Sequence, residues 1–300
     1  MKIGFYPGCS LEGSSREYAE SLRAIAPHLG LDLEELEGWN CCGSSSAHQL
    51  DHMVALTLPA RILAQAERQN INQMVVPCAA CYNRLAAAKK ELAANALTRD
   101  KIAEQLHMPL TGATDVQNIL EILNKALTPA VQKSFPASFP HKVVCYYGCL
   151  LVRPASIVHS DRVEDPMQMD DLMKRIGATP LEWGMKTECC GASFSITRTD
   201  IVGRLCSSII EDAVLRGAEA IIVACPMCHS NLDMRRKEIE RVSGKRFPIP
   251  VIYITQAIGL ALGMDKKSLG LHRHFVDVKL QGTMNVQKKE PASSSPAAVS

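Results

Sequence analysis

This chain of 300 residues has no strong charge bias, no opening segment that reads as a secretory leader and no apolar run long enough to span a bilayer. Its formal net charge is +2, which gives no basis for a nucleic-acid surface. The most apolar stretch, residues 251–264, contains Thr255 and Gln256 and is too short for a transmembrane helix. The first nine residues run straight into a β-rich segment and a cysteine, where a cleavable leader would need an apolar core. A cytoplasmic protein is therefore expected. The nine histidines and twelve methionines form no run, and 47% hydrophobic content suffices for two ordinary domains or one large one.

Cysteine is what the chain has in abundance. Ten of its twelve cysteines fall into one pattern written twice: Cys9, Cys41-Cys42-Gly43 and Cys78-Ala-Ala-Cys81, then Cys149, Cys189-Cys190-Gly191 and Cys225-Pro-Met-Cys228. The intervals are 31 and 39 residues before the vicinal pair, and 35 and 34 after it. A long-period repeat in which the reactive side chains recur indicates a duplicated unit built around a bound inorganic centre. Thiolates are soft ligands that select zinc, copper(I) or iron–sulfur clusters. Zinc needs four ligands, and each copy offers five.

Adjacent residues in extended chain project to opposite sides, so a Cys-Cys pair reaches two metal atoms of a larger cluster more readily than it pinches one ion. The glycine that follows permits positive φ and a close backbone approach to a sulfide cage. A multi-iron cluster fits better than zinc. Zinc in one copy stands as the lesser alternative, because four of the five thiolates would satisfy it. A disulfide framework is disfavoured by chain length and by the intracellular setting.

Short β-rich runs at 2–6 and 142–147 each end at a cysteine. Helical spacing follows at 15–29, then a strand at 31–36 and a long amphipathic stretch at 49–69 interrupted by Pro59. A strand at 73–76 leads to Cys78 and a helix at 82–94. The second half offers counterparts at 167–176, 181–183, 200–216, 220–223 and 229–240. A last unit at 251–262 has a weaker echo at 114–123. This alternation predicts an α/β fold of two tandem, pseudo-symmetric Rossmann-like units with mostly parallel sheets. Cys9, Cys78, Cys149 and Cys225 each follow an expected strand, and the carboxyl ends of strands rim the crevice of such sheets. The expected organisation is a first unit at 1–126, a linker at 127–141 and a second unit at 142–265. A C-terminal extension at 266–300 follows, disordered from about 287 by its Pro/Ser/Ala content.

The doubled cysteine pattern resembles the cysteine-rich CCG domain, and residues 1–265 resemble the B subunit of heterodisulfide reductase. The resemblance implies two noncubane [4Fe-4S] clusters, each held by five thiolates. The ligands would be Cys9, Cys41, Cys42, Cys78 and Cys81 in one copy, and Cys149, Cys189, Cys190, Cys225 and Cys228 in the other. It further implies that a disulfide is cleaved, or in reverse formed, between facing clusters. The setting would be bacterial sulfur metabolism or methanogen-type reduction of the coenzyme M–coenzyme B disulfide. The implied partner subunits are one that is ferredoxin-like and carries iron–sulfur clusters, and one that contains flavin. Similar doubled domains occur in iron–sulfur subunits of glycolate and lactate oxidases, usually beside ferredoxin-like four-cysteine runs. Here Cys-x-x-Cys occurs only inside the two units, which favours a stand-alone subunit of the heterodisulfide reductase type.

Outside the pattern, His229 directly follows the last ligand. It stands either beside the cluster, donating a hydrogen bond or a proton, or at a helix start facing solvent. Cys145 and Cys206 read as buried packing residues. Trp39 and Trp183 read as core aromatics, and Lys186 and Arg198 as solvated surface charges.

Overall fold

The computed structural model describes residues 1–284 except 45, 159 and 161, so the tail expected to be disordered lies outside the described residues. The first unit contains β1 (Lys2–Phe5), β2 (Asp32–Glu35), β3 (Gln73–Val76) and β4 (Asp115–Asn118), all parallel in the order β2-β1-β3-β4. After β5 (Ala137–Ser138) the second unit contains β6 (Lys142–Tyr146), β7 (Thr179–Pro180), β8 (Ala220–Val223) and β9 (Val251–Tyr253). It repeats the order as β7-β6-β8-β9. The α/β class and the two parallel units stand as the sequence implied. In both sheets the chain reverses its direction of winding at the two central strands, which opens a crevice at their carboxyl ends.

Alternating side chains give each strand two faces. Ile3, Phe5 and Val75 face a core continuous with the second unit, whereas Tyr6, Met74 and Val76 face a separate core on the far side of the first sheet. β8 reads Ala-Ile-Ile-Val with every residue buried, as a strand covered on both faces must. The units are joined by equivalent helix pairs: Arg16–Ile25 packs on Ile254–Ala261, and Ile119–Ala126 on Gln168–Arg175. Tyr18 stacks on Tyr253 at 4.1 Å between ring centroids, and the Ser21 and Thr255 hydroxyls lie 2.7 Å apart.

Residues 127–141 carry a short helix, Pro129–Lys133, and β5, which pairs antiparallel with β10 (Thr283–Met284). The C-terminal segment thus returns to the junction between the units.

Three expectations shift. The stretch at 49–69 breaks at Asp51, which is extended and caps the next helix, and not at Pro59, because that one helix, His52–Arg68, runs through it. Proline removes one intrahelical hydrogen bond there, but Ala60, Ile62 and Leu63 are buried beside that turn and hold the helix together. The strand expected at 181–183 lies at Thr179–Pro180, since Trp183 turns inward and donates its indole N–H to the Cys145 carbonyl at 3.1 Å. The helix expected at 229–240 is broken into Pro226–His229, a π-turn at Ser230–Met234, and Arg236–Ser243.

Candidate metal centre

The loops after β1, β2 and β3 bring the five cysteines of the first copy together, and those after β6, β7 and β8 do the same in the second. All twelve cysteines are free thiols, so no disulfide framework is present. In the first site the Cys42 and Cys81 sulfurs lie 3.0 Å apart, Cys81 also contacts Cys78, and Cys9 acts electrostatically on Cys41. In the second, Cys190 and Cys228 are 3.7 Å apart, Cys189 pairs with Cys149, and Cys225 with Cys228. A 3.7 Å separation is close to the edge of a sulfur tetrahedron around a metal at about 2.3 Å. The members of the second vicinal pair thus have different partners, Cys149 for one and Cys228 for the other. The second pair shows the two-sided projection expected of adjacent residues, whereas in the first pair Cys41 and Cys42 contact each other.

Each loop is shaped by its glycine. Gly43 and Gly191 adopt φ of +74° and +76°, and their N–H groups donate to Cys41 Sγ at 3.4 Å and Cys189 Sγ at 3.3 Å. A Cβ on Gly43 would stand 2.7 Å from the Ala47 Cβ, so the tight turn has no room for a side chain.

Crowded thiols share protons unequally. Contact with Cys41, and then with Cys81, pulls Cys42 down to about 3 and leaves Cys41 well above an ordinary thiol. Contact with Cys149 lowers Cys189 to about 6, and contacts with Cys228 and Cys78 lower Cys225. Contact with neighbouring cysteines, and then burial, holds Cys78 and Cys81 in the first site and Cys149 and Cys228 in the second above an ordinary thiol. Each site thus pairs a lowered sulfur with raised ones, and metal binding would release the remaining protons. Five such donors with backbone N–H groups aimed at sulfur fit an iron–sulfur cluster.

The two sites meet. Cys78 of the first unit contacts Cys225 of the second. Ser10, next to Cys9, lies 3.9 Å from the Met227 sulfur, and the Asn83 amide donates to the carbonyls of Leu150 and Arg153 across the junction.

A model of the CCG cysteine-rich domain matches residues 3–86 and again 143–233. The chain belongs to this family. It resembles the B subunit of the ferredoxin/F420H2-dependent CoB-CoM heterodisulfide reductase of Methanosarcina acetivorans, at 27% identity over 92% of this chain and 94% of that protein. It is 31% identical to the 8-methylmenaquinol:fumarate reductase membrane anchor subunit of Wolinella succinogenes, over 94% of this chain and 99% of the other. A hypothetical protein from Helicobacter pylori shares the fold at a TM-score of 0.76 and 13% identity, over 93% of this chain and 52% of that one. Among the described residues no helix is long and apolar enough to cross a membrane.

Several neighbours of the CCG residues are placed otherwise than the sequence implied. His229 is 2% exposed, so the solvent-facing alternative falls. Its Nε2 lies 3.1 Å from the Val251 carbonyl and 3.2 Å from His274 Nδ1, its ring stacks on Tyr253, and Nδ1 has no hydrogen-bond partner. These contacts run towards β9 and the C-terminal segment, and none reaches a cysteine. His229, Asp233 and His274 sit close enough to hold a metal ion, with the Asp233 carboxylate accepting from the Phe275 and Val276 N–H groups. Gln256 accepts from Tyr253 N and so turns its amide N–H to His274 Nε2. That leaves His274 Nδ1 protonated against the Val251 carbonyl.

Lys186 is not a solvated charge: it is buried, and bonds Asp165 at 2.8 Å and Asp170 at 3.4 Å. Arg198 is exposed and paired with Asp200. Cys145 and Cys206 are fully buried, the latter beneath the Cys190 carbonyl at 3.5 Å.

Two kinds of neighbour escaped the sequence. Asn231 donates to the Cys190 carbonyl at 2.9 Å and approaches its sulfur at 3.8 Å, a direction set by the π-turn that no periodicity reveals. Tyr6 and Tyr146, each three residues before the first cysteine of its copy, pack beside the sulfurs; their matching positions in the repeat are the signal that could have found them.

Proposed function

We propose that the chain is the catalytic iron–sulfur subunit of a heterodisulfide reductase-like complex, reducing a disulfide, or forming one in reverse, where its two cysteine sites meet. The observation that carries this reading is the contact between Cys78 and Cys225. Cleaving a disulfide takes two electrons and two protons and yields two thiols, whereas iron–sulfur centres commonly pass electrons singly. Two centres at one gap suit that stoichiometry.

Cys9, Cys41, Cys42, Cys78 and Cys81 would hold one noncubane [4Fe-4S] cluster, and Cys149, Cys189, Cys190, Cys225 and Cys228 the other. The clusters would supply one-electron redox chemistry and iron sites with affinity for sulfur. The chain's own residues orient the thiolates through the Gly43 and Gly191 N–H groups. Half-buried Leu150 and Met227 pack against the cores of both units at the junction and help exclude water there. Electrons would arrive from ferredoxin-like and flavin-containing partner subunits, in the cytoplasm. The substrate class is a mixed disulfide of two thiol carriers.

Anaerobically purified protein should contain about eight iron and eight acid-labile sulfides per chain, and should reduce a mixed disulfide with a low-potential dye as donor. Two zinc ions and no sulfide would overturn the cluster assignment.

The 31% identity to a fumarate reductase subunit favours a second reading, an electron-transfer subunit of a quinone-linked oxidoreductase such as a fumarate reductase or a glycolate or lactate oxidase. Full cluster content without dye-driven disulfide reduction, together with co-purification of a flavoprotein dehydrogenase, would select it.

A further inference from the structure

The same tyrosine stands three residues before the first cysteine in both copies, Tyr6 before Cys9 and Tyr146 before Cys149. Each is essentially inaccessible, at 1% and 0% exposure. The Tyr6 hydroxyl donates to the Asn40 carbonyl at 2.8 Å, and the Tyr146 hydroxyl to the Glu188 carbonyl at 2.6 Å. Asn40 and Glu188 are the residues immediately before the two vicinal cysteine pairs. Both rings meet a tryptophan edge-on, Trp39 at 5.8 Å and Trp183 at 6.3 Å.

Gly8 and Gly148, with φ of +63° and +67°, lie between ring and sulfur. A Cβ on Gly8 would be 3.3 Å from both the Tyr6 ring and Cys81 Sγ, and one on Gly148 would be 2.8 Å from Cys228 Sγ. Both hydroxyls are held protonated by burial, and next by the negative field of the surrounding cysteines. They therefore act as fixed donors.

We infer that Tyr6 and Tyr146 are positioning residues that clamp each vicinal cysteine pair to the strand carrying the first cysteine of the same site. The argument is geometric and occurs twice in sequence-divergent surroundings. The end of the first strand and the Cys-Cys loop belong to different crossovers, yet one phenol spans them in each unit. Its oxygen anchors the peptide that leads into the pair, and its ring sets the floor beneath the closing Cys-x-x-Cys sulfur. Without the hydroxyl, a part-buried carbonyl loses its donor and the loop is free to open. The effect should be local to one copy.

The clamp's effect on a cluster rests on the proposed function, but its effect on the loop does not, so the test is read twice. In metal-free, reduced full-length protein, Tyr6→Phe should expose the buried Cys42 to a thiol-alkylating reagent roughly fivefold to tenfold faster, while Cys190 labels as in wild type. Tyr146→Phe should do the reverse. Tyr147→Phe, whose hydroxyl bonds Asp170 and no cysteine loop, serves as the control for general destabilisation and should change neither rate.

In protein carrying iron and sulfide, each Phe variant should shift the EPR signature and midpoint potential of one cluster only. If Tyr6→Phe does not fold, Tyr146→Phe poses the same question at the second site. Unchanged labelling, or equal acceleration at both sites, would overturn the clamp. Copy-specific labelling in a protein that never binds iron would uphold the clamp and overturn the cluster.

Discussion

Cys41 and Cys189 are exposed whereas Cys42 and Cys190 are buried, so the two members of each vicinal pair differ in their access to solvent. Replacing any of the four with Ala should lose or rearrange the cluster of that copy alone, as read by iron content and EPR. Cys145→Ala and Cys206→Ala remove only packing and should cost about 1–2 kcal/mol in urea unfolding with the spectrum intact. The opposite pattern would break the ligand assignment. Gly43→Ala forces a side chain into the left-handed region at about 1–2 kcal/mol, and adds a clash with Ala47. Its first casualty should be cluster retention rather than fold. Lys186 shows how context overrides residue type. Lys186→Met would leave the Asp170 carboxylate buried beside Tyr147 without its cation, a loss of about 3 kcal/mol measurable by urea titration.

The helices and strands that position the site were legible wherever a periodic face or a turn signal marked them. Strands β1, β3, β6 and β8 end at Phe5, Val76, Tyr146 and Val223, close to where the sequence placed them. Errors fell where a tertiary partner redirected a local tendency, as at Pro59, Trp183 and the π-turn after His229. The π-turn lets Asn231 face Cys190 and places Asp233 to accept the N–H groups of Phe275 and Val276 at 2.8 and 3.3 Å. Residues 266–284 are consequently part of the fold, with Leu269, Leu271, Val278 and Leu280 buried. Truncation after residue 265 should cost on the order of 5 kcal/mol from lost apolar burial, seen as a large drop in urea midpoint. A midpoint unchanged by the truncation would show that the segment only rests on the surface.

At the scale of the molecule, the two units share one of its two buried cores. Side chains of Arg16–Ile25 and Ile119–Ala126 enter the same buried cluster as β6, β8 and β9. The expected outcome is a single unfolding transition, with matching midpoints by far-UV circular dichroism and by fluorescence of Trp39 in the first unit and Trp183 in the second. Two separated transitions would mean that the units are independent and that the junction of the sites is loosely held.

The proposed thiolate ligand set was read from the sequence alone, because a five-cysteine pattern written twice names its candidate donors whatever the fold. The α/β class followed from alternating periodicities, which are local. Only the tertiary structure decided that the two sites touch through Cys78 and Cys225, that His229 turns towards Val251 and His274, and that Tyr6 and Tyr146 reach the vicinal pairs. These are relations between segments far apart in the chain, set by how two sheets and their crossovers pack. No local periodicity encodes the direction in which a buried side chain finds its partner.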